Sequence, residues 1–280
     1  MRSERTQATR SEEELAIDDR HVDGPHGPIP IRVYRRGGAQ SDPGLVWLHG
    51  GGWAAGDLAM PEADWVARSI AARGVVVVSV DYRLAVDGVH FPVPLDDVVA
   101  AFTWTRANAE SLGVEPSLLS LGGASAGGNL AAGAALRLRD EGSEQPWRIV
   151  LAYPMLHPHL PELSAELAPK VAALPVEDQV FDPVSVDRMT LNYAGSREAL
   201  DDPHAFPANG DPTGLPPHVI VNSDADSLRA SAEAYAALLA TSGVSVYSAY
   251  EPGTKHGHIN QPEERAAEST LEVFLRALTY

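Results

Sequence analysis

The chain contains no cysteine. That excludes a disulfide framework and a thiolate metal site, and it fits a reducing cytoplasm, the expected location. Positive charge is scarce. The 21 Lys and Arg face 38 Asp and Glu, for a formal net charge of −17. A duplex phosphate backbone would be repelled by such a surface, so no nucleic-acid partner is expected. Long apolar runs are missing too. The densest is Val75-Val76-Val77-Val78, far short of the roughly 20 residues of a membrane span. Residues 1–19 are polar and charged, without the apolar core of a secretory signal. No membrane partner is expected. Internal repeats and low-complexity tracts are also lacking.

What is present is enough material for a large core: 280 residues, of which 44% are hydrophobic. Strand-like segments are expected at 29–36, 44–48, 75–80, 118–121, 149–153, 218–222 and 244–250. Helical spacing is expected at 61–73, 95–109, 126–139, 230–240 and 263–278. Residues 2–14 read as frayed or weakly helical. Strands alternating with helices predict a mainly parallel sheet covered on both faces. One stretch, 155–217, breaks the rhythm with prolines, acids and turn residues. It reads as an ordered insertion over the carboxyl ends of the strands, a cap. The expected architecture is therefore a single α/β domain over residues 1–280 with an inserted cap.

Two glycine-rich motifs carry the chemistry. Gly123-Ala124-Ser125-Ala126-Gly127 falls between an expected strand and an expected helix, the setting of a nucleophile elbow. Small residues on either side of Ser125 tolerate the strained turn that a nucleophile needs there. Upstream, His49-Gly50-Gly51-Gly52-Trp53 suits a loop whose backbone N–H groups receive a developing negative charge. Gly51, Gly52 and Ala126 are the expected oxyanion donors. His49 is expected to brace the loop. A phosphate-binding reading fails for want of a following Lys-Ser/Thr pair.

A serine nucleophile needs a base and an acid, in the chain order nucleophile, acid, histidine. Beyond residue 222 only His256 and His258 remain. His256 lies in the loop just past the last expected strand and is favoured over His258. Asp224 and Asp226 follow the preceding strand, and Asp226 is favoured because it leads into the next helix. The pairs His157/His159 and His256/His258 are both His-x-His, but they fall in loops, so no metal site is expected.

The motifs as a set resemble the hormone-sensitive-lipase-like esterases, the bacterial family IV branch of the α/β-hydrolases. The resemblance rests on His49-Gly50-Gly51-Gly52-Trp53, Asp81-Tyr82-Arg83-Leu84-Ala85, Gly123-Ala124-Ser125-Ala126-Gly127-Gly128-Asn129-Leu130 and Tyr153-Pro154. Asp226-Ser227-Leu228-Arg229 and His256-Gly257 complete it. It spans residues 29–154 and 215–280. It implies the α/β-hydrolase fold, a serine carboxylesterase without a cofactor, the triad Ser125, Asp226 and His256, and the oxyanion hole Gly51, Gly52 and Ala126. It also implies a small-molecule ester substrate, cap segments at about 1–28 and 155–217, and a homodimer as an option. Ala124 stands where the family usually has an acid, Ser227 where it has Pro, and Ala230 where it has an acid. His258 stands where Phe is common, and Val86-Asp87 where Pro-Glu is usual. Short-chain esters are expected because the cap segment lacks the long apolar helix of a lipase lid. The same triad would serve a lactonase or an amidase. A non-catalytic small-molecule receptor on the same fold is the alternative from another class; relatives of that kind lack the catalytic histidine, which this chain retains.

Overall fold

The valine run is buried on both sides, and that fixes the layers. Val75 and Val77 pack toward one helical layer, while Val76, Val78 and Val80 pack toward the other. A strand apolar on both faces belongs at the centre of a covered parallel sheet. The computed structural model, which describes residues 15–38 and 41–280, places it inside the sheet, at the border of the parallel part. The expected weak helix at 2–14 lies outside the described residues.

The strands are β1 (Leu15–Gly24), β2 (Gly27–Arg36), β3 (Asp42–Leu48), β4 (Val76–Val80), β5 (Val114–Ala124), β6 (Ile149–Ala152), β7 (His218–Ala225) and β8 (Val246–Lys255). They form one eight-stranded sheet in the order β1-β2-β4-β3-β5-β6-β7-β8. The β1–β2 hairpin and the β2–β4 pairing are antiparallel, and all pairings from β4 to β8 are parallel.

The helices are α1 (Pro61–Ala71), α2 (Val93–Ala107), α3 (Ala109–Leu112), α4 (Ala126–Asp140), α5 (Leu167–Ala172), α6 (Pro183–Ala194), α7 (Arg229–Thr241) and α8 (Arg265–Thr279). On one face, Val66 and Ile70 of α1 and Leu271 and Phe274 of α8 cover Leu45, Trp47 and Val77. On the other, Val98 and Phe102 of α2, Leu130 and Ala134 of α4 and Leu239 of α7 cover Val46, Leu48, Leu121 and Ile220. The alanines of α4 are fully buried. Their small side chains let the helix behind Ser125 lie close to the sheet.

One expectation changes, at the edge of the sheet. Residues 15–28, expected in the cap, form the edge strand β1 and the start of β2, with Leu15 opposite Arg36 and Gly24 opposite Gly27. Burial along β1 is slight, with Val22 its buried side chain. An edge strand needs backbone pairing more than an apolar face, so its pattern is weak. Residues 155–217 contain no strand and carry α5, α6 and short 3-10 turns. Prolines and turn residues shorten those helices and hide their period. Among the described residues, no helix is long and apolar enough to cross a membrane.

Candidate active site

Ser125 occupies the turn between β5 and α4 with φ 53°, a left-handed conformation that is strained for a residue with a Cβ. Neighbouring backbone holds it there. Its N–H donates to the Ala152 carbonyl at 2.9 Å, and its carbonyl accepts from the Asn129 N–H at 3.1 Å. The flanking glycines answer to close approach. A Cβ on Gly123 would lie 2.5 Å from the Gly127 carbonyl carbon, and one on Gly127 would lie 2.3 Å from the His49 carbonyl oxygen. The start of α4 is thus pressed against the loop that follows β3.

That loop is fixed plane by plane. The His49 carbonyl accepts from the Tyr82 hydroxyl at 2.8 Å, and the Gly50 N–H donates to Glu62 Oε1 at 2.7 Å. The next plane is held by His49 Nδ1–H, which donates to the Gly50 carbonyl at 2.7 Å. Because a trans peptide is planar, holding the Gly50 carbonyl also sets the direction of the Gly51 N–H, which points the opposite way. Gly51 and Gly52 take φ of 109° and 60°, and a Cβ on Gly51 would strike the Ala55 carbonyl oxygen at 2.0 Å. The His49 ring is buried and stacks on Tyr82 with centroids 4.5 Å apart, the bracing position expected of it. Ala126 opens α4, so its N–H has no acceptor within the helix.

β7 and β8 bring Asp226 and His256 to Ser125. His256 Nε2 lies 3.0 Å from Ser125 Oγ, and His256 Nδ1 lies 2.6 Å from Asp226 Oδ2. A carboxylate only accepts, so Nδ1 carries the proton and Nε2 offers its lone pair to the serine hydroxyl. Asp226 is buried, and its other oxygen accepts the Leu228 N–H at 3.0 Å. The imidazole sits between aromatic rings, with the Tyr153 centroid at 4.7 Å and that of Phe181 at 4.4 Å.

The neighbouring candidates are engaged elsewhere. His258 is buried against Ser223 Oγ at 2.9 Å and Thr270 Oγ1 at 2.7 Å. Burial, assisted by His256, pulls its pKa down to about 4, so it packs as a neutral ring. Asp224 accepts the Gly253 N–H at 2.9 Å and pairs with Lys170 and Arg229. Burial pushes its carboxyl upward, but these donors outweigh burial and hold it below the usual range. In the other His-x-His pair, His157 faces Ser231 Oγ at 2.9 Å and His159 faces Asp187 at 2.7 Å. The His157 and His159 rings therefore have separate partners.

Segment 155–217 meets these loops from above. Tyr193 of α6 stacks on Trp53 at 4.6 Å, and the Met189 sulfur lies 3.4 Å from where a Cβ on Gly52 would stand. A cleft of about 10 Å³ beside Asp226 and His256 is lined by Val171, Leu174 and Phe181. A second cavity, of about 290 Å³, is lined by Leu160, Leu163, Val171 and Phe181. Phe181 borders both.

This architecture and these motifs recur in known proteins. A family model of the alpha/beta hydrolase fold matches residues 45–260. Carboxylesterase NlhH of Mycobacterium tuberculosis is 36% identical over 256 residues, covering 88% of this chain and 76% of that protein. An arylesterase of Saccharolobus solfataricus is 30% identical, covering 84% of this chain and 74% of its own. The solved esterase of Pyrobaculum calidifontis superposes with a TM-score of 0.84 at 31% identity, covering 94% of this chain and 84% of that one. The chain belongs to the α/β-hydrolase family.

Within that family it is hormone-sensitive-lipase-like. In this hydrolase, one buried carboxylate touches the oxyanion loop, and sequence reading did not find it. Glu62 accepts from the Gly50 N–H, from the Tyr153 hydroxyl at 2.9 Å and from Asn260 Nδ2 at 3.0 Å. In sequence it is an acid in the first turn of an amphipathic helix, a pattern that ordinarily means a solvated complement to the helix dipole. Phe181 and Lys170 were likewise illegible as site neighbours, because nothing local says where the inserted segment folds back.

Proposed function

We propose that this hydrolase is a serine carboxylesterase in which Ser125, His256 and Asp226 form the triad, and Gly51, Gly52 and Ala126 N–H groups form the oxyanion hole. The observation that carries the reading is the unbroken line from Asp226 Oδ2 through the His256 ring to Ser125 Oγ, with contacts of 2.6 and 3.0 Å. His256 takes the hydroxyl proton as Oγ attacks the ester carbonyl. Asp226 holds the tautomer and stabilises the imidazolium. The carbonyl oxygen becomes an anion, which the three N–H groups stabilise. On collapse His256 protonates the departing alcohol, leaving an acyl-Ser125. Water then repeats the sequence and releases the acid. No step needs a metal or an organic cofactor.

Residues 155–217 act as the cap in this reading. Its helices are short, α5 of six residues and α6 of twelve, with no long apolar lid helix, which supports short acyl groups, of about two to six carbons, since an added methylene favours catalysis only if it is buried. The cysteine-free composition supports a cytoplasmic site of action. The test is Ser125→Ala assayed on p-nitrophenyl esters of rising acyl length beside a few lactones. Turnover is expected to fall by roughly 10⁴- to 10⁶-fold with the fold intact. An organophosphonate should label Ser125 once per chain. Activity near the parent level in Ser125→Ala would refute the triad, and a rate that climbs steadily into long-chain esters would refute the short-chain preference.

A further inference from the structure

Glu62 is a buried carboxylate that the proposed chemistry does not use. It sits in the first turn of α1 and is 2% exposed. An anion removed from water is strongly unfavourable unless its oxygens are met by donors. Here Oε1 takes the Gly50 N–H at 2.7 Å. Oε2 takes the Tyr153 hydroxyl at 2.9 Å and Asn260 Nδ2 at 3.0 Å. The Asn260 contact is returned, since the Glu62 N–H donates to Asn260 Oδ1 at 3.2 Å.

The identity of the three donors matters. Gly50 belongs to the oxyanion loop. Tyr153 follows Ala152, whose carbonyl holds the Ser125 N–H; it takes φ 36°, and its ring lies 4.7 Å from the His256 ring. Asn260 ends the short turn that begins two residues past His256. A single carboxylate thereby joins three chain segments that are far apart in sequence, one each from the oxyanion loop, the support of the nucleophile and the loop of the base. The Gly50 N–H and the His49 carbonyl are two ends of one peptide plane. Glu62 and Tyr82 hold these ends, and His49 holds the next plane. Releasing Glu62 leaves the first plane held by Tyr82 at its carbonyl end alone, so it can turn, and the aim of the Gly51 N–H shifts with it.

From this geometry we infer that Glu62 is a positioning residue for ester hydrolysis, holding the oxyanion loop in register with Ser125 and His256. The inference rests on the triad and oxyanion hole proposed above. Glu62 touches no reacting atom. It acts through Gly50, Tyr153 and Asn260. A hydrogen-bond donor misplaced by a fraction of an ångström stabilises the tetrahedral oxyanion less while leaving substrate binding almost untouched, because the ground-state carbonyl needs that donor far less.

The experiment compares Glu62→Ala, Glu62→Gln and Asn260→Ala with the parent in p-nitrophenyl butyrate hydrolysis, inhibition by a trifluoromethyl ketone and thermal melting. The ketone adduct places an oxyanion in the hole. In Glu62→Ala, kcat should fall roughly 10- to 100-fold, KM should stay within about threefold, and the ketone Ki should rise by the same factor as kcat falls. Glu62→Gln keeps an oxygen for the Gly50 N–H and should recover kcat to within about fivefold of the parent. Asn260→Ala removes one donor and should fall between them. If Glu62→Ala fails to fold, the ranking of the parent, then Glu62→Gln, then Asn260→Ala in both kcat and Ki decides. Lowered melting temperature with parental kcat and Ki in Glu62→Ala, or in Asn260→Ala where Glu62→Ala does not fold, would overturn the inference and make Glu62 structural alone. Turnover surviving in Ser125→Ala, or a ketone that does not inhibit the parent, would instead overturn the triad on which the inference rests.

Discussion

The loops at the ends of β3, β5, β7 and β8 and the segment 155–217 meet at the proposed active site, yet they are built differently. The strand-end loops aim each polar group with buried backbone or a buried side chain: Asp226 by the Leu228 N–H, Gly50 by Glu62, Ser125 by the Ala152 carbonyl. The inserted segment roots Tyr193 and Phe206 in the core, but its outer stretch is attached by ion pairs nearer the surface, such as Lys255–Asp178 at 2.7 Å. Val176, Val180 and Val184 remain exposed on it. Exposed ion pairs add little individually. The groups of the proposed triad are thus aimed by the buried ends of the sheet, and the outer stretch of the segment is where changes disturb them least.

The sharpest way to break that comparison is to exchange the roles of two neighbours. His256→Ala should lower kcat by roughly 10⁴- to 10⁶-fold with little change in melting temperature. His258→Ala should keep kcat within about tenfold. It should instead destabilise by about 1–3 kcal/mol, because the Ser223 and Thr270 hydroxyls lose their buried partner. Kinetics and melting curves on both variants decide, and the opposite pattern would move the base to residue 258.

A pH titration of stability tests the buried frame, to which His157 at the root of the inserted segment also belongs. His157, His218 and His258 each have a pKa lowered by burial to about 4. Between about pH 6.5 and pH 4 the unfolded chain binds protons at these rings that the folded chain does not, so stability must fall as pH drops through that window. It should be nearly flat, as far as these rings contribute, above pH 7. Urea unfolding at pH 7.5, 5.5 and 4.5 should follow this slope, and His258→Gln should make it shallower. A wild-type protein equally stable at pH 4.5 and 7.5 would contradict neutral burial.

The smallest effect belongs to the inserted segment. Phe181→Ala removes the ring that borders both the narrow cleft and the larger cavity. Longer acyl chains should then gain, by about fourfold in kcat/KM for each methylene newly buried. Loss of activity on short and long esters alike would show that Phe181 supports His256 rather than limiting acyl length.

Sequence order and residue size were sufficient for much of the site. Ser125 was legible because only small residues fit around a strained turn. His256 was legible because a parallel sheet presents its loops in chain order. Asp226 and Asp224 could be ranked but not separated until their partners were visible. Glu62 was illegible because burial of a first-turn acid is decided by a tyrosine and an asparagine 91 and 198 residues away. β1 was missed for a different reason: its register comes from β2, not from an apolar face of its own.

Ser125 at φ 53° has a further consequence. An unfolded chain has no means of keeping a serine in that conformation, and the contacts that do so come from β6 and from the His49 carbonyl against Gly127. The proposed nucleophile therefore comes into being only after the central strands have docked. Colour released from a chromogenic ester doubles as a gauge of folding. A refolding time course followed by turnover reports when the middle of the sheet is complete, and a screen for active variants selects in the same step for chains that have assembled it.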